Sequence, residues 1–329
     1  MKNRLSMIAV LVCAIISAAT VGAWPQSMPR VASKTSREVS VTFDDLLLVS
    51  VPRHDIASYT EVTNKLLAAI KTNKVPAIGF VNENKLHTDG KLNDARVKLL
   101  QRWLDSGLEL GNHTFSHIDL NTTPLDAFQA DVIRGEAVTS KLLRRKGMRL
   151  RYFRHPFLHT GADLETKRKF EAFLSGRGYR IAPVTIDNSE WIFAIAYAKA
   201  AERNDAEMMR RIGAAYIPYM ERKFDYFEKQ SVALFGYEMK QILLLHANAL
   251  NADYFGELAQ MIKRRGYKFI TLDEALKDKA YNSPDTYTGP GGITWLHRWA
   301  MAAGKKNDFF AGEPRTPAFV LKEAGLSSE

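Results

Sequence analysis

The chain has 329 residues, 46% of them hydrophobic and 25% charged, which is the balance of an ordinary globular protein large enough for a sizeable core, as one α/β domain or two smaller ones. Its only cysteine, Cys13, falls in an N-terminal apolar run. A chain that loses this run has no disulfides, thiolate metal sites or cysteine nucleophile. Net charge is +10, or +8 without Lys2 and Arg4, but the cations are scattered, the short clusters at 144–146 and 263–265 lie near predicted helix ends, and no nucleic-acid motif accompanies them.

At the start, Lys2 and Arg4 precede the apolar run from Met7 to about Ala19, and Val21-Gly22-Ala23 offers a small-residue cleavage site. Residues 1–23 are therefore expected to be a signal peptide, too short to span a membrane comfortably, with 24–37 a linker. Val12 before Cys13 does not fit a lipidation site. The chain is expected to be exported, periplasmic or secreted, with no stable membrane insertion after cleavage.

Next comes a repeating strand-then-helix rhythm. Strands are predicted over 39–43, 75–81, 108–112, 150–153, 179–186, 241–245 and 268–271. Helical patterns lie between them, over 61–71, 95–105, 124–146, 164–175 and 254–265. The helix from 124 carries Thr123 as its expected cap, a proline in its first turn and Gly147 beyond a basic end. Strands alternating with helices imply parallel strands joined by crossovers, and seven of them favour a distorted (β/α) barrel over an open sheet. The rhythm breaks over about 191–235 into a helical insertion. After 280 comes a loop rich in Pro and Gly, then an irregular C-terminal extension over 281–329.

The residues that carry chemistry share one kind of position. Asp44 and Asp45 end the first strand, His113 and His117 follow the third, Arg154 to Phe157 the fourth, Asp187 the fifth, and His246 ends the sixth. In a parallel barrel these strand ends open on one face, so residues two hundred apart converge. His113 and His117 are four apart, the spacing that places two ligands on one face of a helical turn. Two histidines and a carboxylate make a catalytic type of metal site. Asp45 or Asp44 would complete it, with the other carboxylate free to take a proton.

"TFDD", "HTFSH", "RHPF", "DNSEW" and "LLLH", in this order, resemble the five motifs of the NodB-like polysaccharide deacetylases, a family of carbohydrate esterases, over 39 to about 276. The resemblance implies a deacetylase domain over 38–280 and a metal-dependent hydrolase, usually with zinc, that removes acetyl groups from an amino-sugar polysaccharide. By position it makes Asp44 the base, and Asp45, His113 and His117 the metal ligands. It makes His246 the acid that protonates the leaving amine, Asp187 the carboxylate that keeps His246 charged, with Glu190 a weaker candidate, and Arg154 the partner that orients Asp44. The Phe157 N–H would face the oxyanion and Trp191 would wall the acetyl pocket. Three features depart from the family: Leu46-Leu47 in place of Gly-Pro, "PFLHTG" without the usual glycine, and Glu190 where Asp is commoner.

Two other classes of function are open. Two histidines and a carboxylate also hold non-haem iron in oxidoreductases, though Asp44 and His246 would then have no job. A catalytically silent glycan-binding module is the third. His54, His87 and His297 are expected to be surface or packing residues, and His155 and His159 to line the cleft or brace its loop. Trp295 and Trp299, four apart, are expected to pack the extension onto the barrel more than to bind sugar.

Overall fold

A computed structural model describes residues 37–329; the expected signal peptide and almost all of the linker lie outside the described residues. In chain order the elements are β1 (Arg37–Leu46), α1 (Ile56–Asn73), β2 (Ile78–Val81), the short hairpin β3 (His87–Thr88) and β4 (Lys91–Leu92), α2 (Asp94–Asp105), β5 (Glu109–Asn112), α3 (Leu125–Arg134), α4 (Thr139–Arg145), β6 (Tyr152–Phe153) and α5 (Leu164–Gly176). Then follow β7 (Arg180–Ile181), α6 (Glu190–Glu202), α7 (Ala206–Phe235), β8 (Gln241–His246), α8 (Ala249–Arg264), β9 (Tyr267–Phe269), α9 (Leu272–Ala275), α10 (Trp295–Ala302), α11 (Asn307–Phe310) and α12 (Ala318–Ala324).

All seven predicted strands form, several shorter than the sequence suggests, in one parallel sheet of order β7-β6-β5-β2-β1-β8, with β9 beside the start of β1. The sheet curls until Ile186, five residues past β7, bridges Leu243 of β8, which joins its two edges. The architecture is a distorted (β/α) barrel.

β1 shows how the pattern builds the barrel. Val39, Val41 and Phe43 are buried, and the Phe43 ring meets the edges of Trp103 of α2 and Phe255 of α8 at 5.7 and 5.4 Å. Successive strand side chains point to opposite faces. Thr42 and Asp44 therefore face inward, where Arg154 donates to both. Leu46 and Leu47, in place of Gly-Pro, are buried; Leu46 lies over Gly79 of β2, where any Cβ would collide with it.

The helix predicted over 124–146 is two. Thr123 does not cap it; Pro124 precedes the first turn without a side-chain cap. The break at 135–138 follows from Glu83, a buried carboxylate whose oxygens accept from the N–H groups of Val138 and Thr139, at 2.9 and 2.6 Å. It thereby satisfies the start of α4, where unpaired donors and the positive end of the helix dipole favour an anion. The insertion forms α6 and α7. The extension is less irregular than expected, since α10 to α12 pack onto the barrel, with Trp295 and Trp299 buried beside Leu158, Val184 and Leu244. Among the described residues no helix is long and apolar enough to cross a membrane.

Candidate active site

Asp44 and Asp45 both reach the site because β1 loses its regularity there. Asp45 adopts φ +64°, and the register with β2 slips between Phe43 and Leu46. Such a bulge re-aims a side chain that would otherwise point away from its neighbour. Asp44 stands opposite His246 in the ladder with β8. It is 3% exposed, and Arg154 Nη1 lies 3.1 Å from one of its oxygens and 3.3 Å from the other. Arg154 is itself fully buried and donates from Nη2 to Thr42 and from Nε to the Ala182 carbonyl. Burial pushes Asp44 up to about 6; Arg154 pulls it down, as its charge must, but does not prevail.

Asp45 Oδ1 lies 3.7 Å from His113 Nε2 and 3.4 Å from His117 Nε2, and one donor atom from each of the three residues falls within 4.8 Å of the others. His113 Nδ1 is 2.8 Å from the Arg154 carbonyl, which can only accept. The proton therefore sits on Nδ1 and the Nε2 lone pair faces Asp45. Burial holds both imidazoles below their usual pKa and hence neutral, as metal ligands must be. Burial alone would raise Asp45, but neighbouring positive charge, Lys85 first, outweighs it and holds the carboxyl below the usual range. Its buried Oδ1 has no hydrogen-bond partner. An orphaned carboxylate oxygen between two imidazole lone pairs fits a cation, and three such donors leave room for a further ligand.

The two histidines do not share a helical turn. They sit on a loop after β5 in which Thr114 and His117 take positive φ. Asn112 Oδ1 accepts from Thr114 N, and Thr114 Oγ1 from His117 N, so the loop folds back on itself. Gly135 permits this, because a Cβ there would lie 2.7 Å from the Thr114 backbone.

The partner of His246 is Glu190, not Asp187. His246 Nδ1 is 2.8 Å from Glu190 Oε2, while Glu190 Oε1 accepts from Asn251 Nδ2 at 2.7 Å and from Asn248 Nδ2. Burial would lower the pKa of His246, but the bond and charge of Glu190 raise it to about 9. Asp187 makes its hydrogen bond to the N–H of Asn188, and burial, partly offset by Lys223, lifts it to about 6. The physical reason is the start of α6 at Glu190, which turns that side chain inward toward β8.

Asp44, Asp45, His113, His117 and His246 line one cavity of about 860 Å³ with Phe157, Asp187 and Trp191. Phe157 lies on the turn Pro156–Leu158 after β6, with its ring 4.5 Å from that of His117. Trp191 is 42% exposed at the rim. His155 also lines the cavity, buried, with neither ring nitrogen bonded, and His159 pairs with Asp119 at 2.8 Å. His297 is a packing residue against Tyr226, Phe227 and Phe310. Sequence reasoning missed Lys85, whose Nζ is 3.6 Å from Asp45 Oδ1, and the asparagines that hold Glu190; a lone Lys or Asn after a strand carries no pattern that marks it.

The family model described as polysaccharide deacetylase matches residues 32–170, which include the acid doublet, both histidines and Arg154. Over these residues the chain is similar to the polysaccharide deacetylases. A chitin deacetylase from Colletotrichum lindemuthianum is 25% identical over 224 residues, 67% of this chain and 76% of that one. An uncharacterized 30.6 kDa protein from Geobacillus stearothermophilus is 26% identical over 228 residues, 68% of this chain and 69% of its own length. Among solved structures, a mutant of a family 4 carbohydrate-esterase pseudoenzyme with restored enzymatic activity aligns at 15% identity and a TM-score of 0.49, covering 74% of this chain and 68% of that one.

Proposed function

We propose that this chain is a metal-dependent deacetylase that hydrolyses the acetamido group of an amino-sugar glycan outside the cytoplasm. The observation that carries the reading is the placement of a carboxylate base and a charged imidazole beside a three-donor cluster in one cavity. A divalent cation, zinc by its preference for two imidazoles and a carboxylate, would be held by Asp45, His113 and His117 and would polarise the acetyl oxygen and acidify water. Asp44 takes a proton from the attacking water, and Arg154 holds its carboxylate in place. As oxygen bonds to the acetyl carbon, the Phe157 N–H faces the developing oxyanion. When the C–N bond breaks, His246 gives its proton from Nε2 to the departing nitrogen, and acetate and a free amine leave. Glu190 keeps His246 charged until then. Asp187 and Trp191 shape the cavity beside the acetyl group.

The test is acetate release from a panel of acetylated oligosaccharides, repeated after chelation and zinc add-back. Release that is lost with chelator and regained with zinc supports the reading. Absence of release from every glycan, with zinc bound, would favour a silent glycan-binding module, and redox turnover with bound iron would favour an oxidoreductase.

A further inference from the structure

The turn that carries Phe157 is held in an unfavourable backbone conformation. Phe157 and Leu158 both have φ +56°, a region that side chains other than glycine seldom occupy and that persists only where surroundings enforce it. The enforcing contacts come from the extension, some 140 residues later. Arg298, 1% exposed on α10, donates from Nη2 to the Leu158 carbonyl, from Nη1 to Thr160 Oγ1 at 3.1 Å, and from Nε to the Ile293 carbonyl at 3.0 Å. Its charge is met by Asp285 at 3.6 Å, which Lys167 also contacts at 2.8 Å, and its guanidinium lies 4.0 Å over the Trp295 ring. Gly292 lets the extension press against the Phe157 carbonyl, where any Cβ would collide. The Leu158 side chain is buried among Trp295, Leu296 and Trp299.

We propose that Arg298 is a positioning residue: it clamps the Phe157–Thr160 turn so that the Phe157 ring stays beside His117 and its N–H keeps its direction. This rests on the reading of Phe157 as the oxyanion donor. The family's usual glycine is absent from this motif, and its place is taken by a left-handed leucine plugged into the extension. Backbone freedom that glycine gives without cost is replaced here by a fixed turn and an external clamp.

The test uses the full chain with zinc and two variants, Arg298→Lys and the near-isosteric Thr160→Val. Amide hydrogen exchange is followed along the chain, and kcat, KM and bound zinc are measured on an acetylated oligosaccharide. In Arg298→Lys, exchange at 157–160 should rise while other regions keep their protection. kcat should fall by up to about a hundredfold, the cost of displacing a catalytic group by about 1 Å, with KM and zinc content unchanged. Thr160→Val should do the same more weakly, and it decides the matter if Arg298→Lys does not fold. Unchanged exchange at 157–160, or a rise spread evenly along the chain with kcat intact, overturns the clamp. If the unmodified protein releases no acetate, the deacetylase reading fails while the exchange data still decide whether Arg298 holds the turn.

Discussion

Replacing Glu190 with Gln should move the alkaline limb of the pH–rate profile to lower pH. In the proposed mechanism His246 must be protonated to give up its proton, so activity is expected below its pKa and lost above it. The bond and charge of Glu190, with lesser help from the charges of Asp45 and Asp44, lift that pKa from 6.5 to about 9 against the opposing effect of burial, a difference worth about 3 kcal/mol. The substitution keeps an amide oxygen for Asn251 and Asn248 and puts an amide NH2, which cannot accept, in place of the charged oxygen beside Nδ1. A group titrating near 9 is about 90% protonated at pH 8 and one near 6.5 about 3%, so kcat/KM at pH 8 should fall roughly 30-fold, with a much smaller loss at pH 6. The assay is acetate release between pH 5 and pH 10, with bound zinc checked at each end. Asp187→Asn is the control: it should leave the alkaline limb in place, since Asp187 bonds to Asn188 and not to His246. A limb that stays near 9 in Glu190→Gln, or moves in Asp187→Asn, would refute the assignment of Glu190 as the partner.

Asp44→Asn should cut turnover by about 10²- to 10⁴-fold, as expected for loss of a general base, while zinc measured by elemental analysis stays at the wild-type level. His113→Ala should lose both zinc and turnover. Gly135→Ala places a Cβ 2.7 Å from the Thr114 backbone and should weaken zinc affinity by shifting the His113–His117 loop, read by competition with a chromogenic chelator. Zinc at a hundred times its dissociation constant should stabilise the fold by about 2.7 kcal/mol, seen as a rise in the thermal midpoint that Asp45→Ala abolishes.

The barrel was legible because its signals are local and repeated. Alternation in β1, apolar runs at β2, β5 and β8, and amphipathic helices between them leave few topologies, and a parallel topology then brings every strand end to one face. What escaped is decided by contacts between distant segments. One helix pattern over 124–146 became two helices because Glu83, from a turn after β2, caps the second. Asp187 and Glu190 are three apart in one motif, and only the point at which α6 begins determines which carboxylate meets His246. The spacing of His113 and His117 suggested a helix, but it is a loop with two left-handed residues that brings the rings together. α10 to α12 are only four to eight residues long, too short for periodicity to mark, and their packing against the barrel holds them.

The insertion supports the acid side of the site from behind. Tyr216 of α7 donates its hydroxyl to Asn251 Oδ1 at 3.0 Å, which leaves Asn251 Nδ2 to serve Glu190 Oε1 at 2.7 Å and the His246 carbonyl at 2.9 Å. An amide offers two donors and one acceptor oxygen, so the tyrosine fixes which end of Asn251 faces the carboxylate. Tyr219, one turn further along α7, accepts from the N–H of Ser189, immediately before the first turn of α6. Two hydroxyls of one helix thus set the direction of the Glu190 side chain, and through it the charge and orientation of His246. The insertion is bound to the proposed proton donor as closely as the extension is bound to the turn that carries Phe157, so both segments outside the five motifs bear on the geometry of the residues within them.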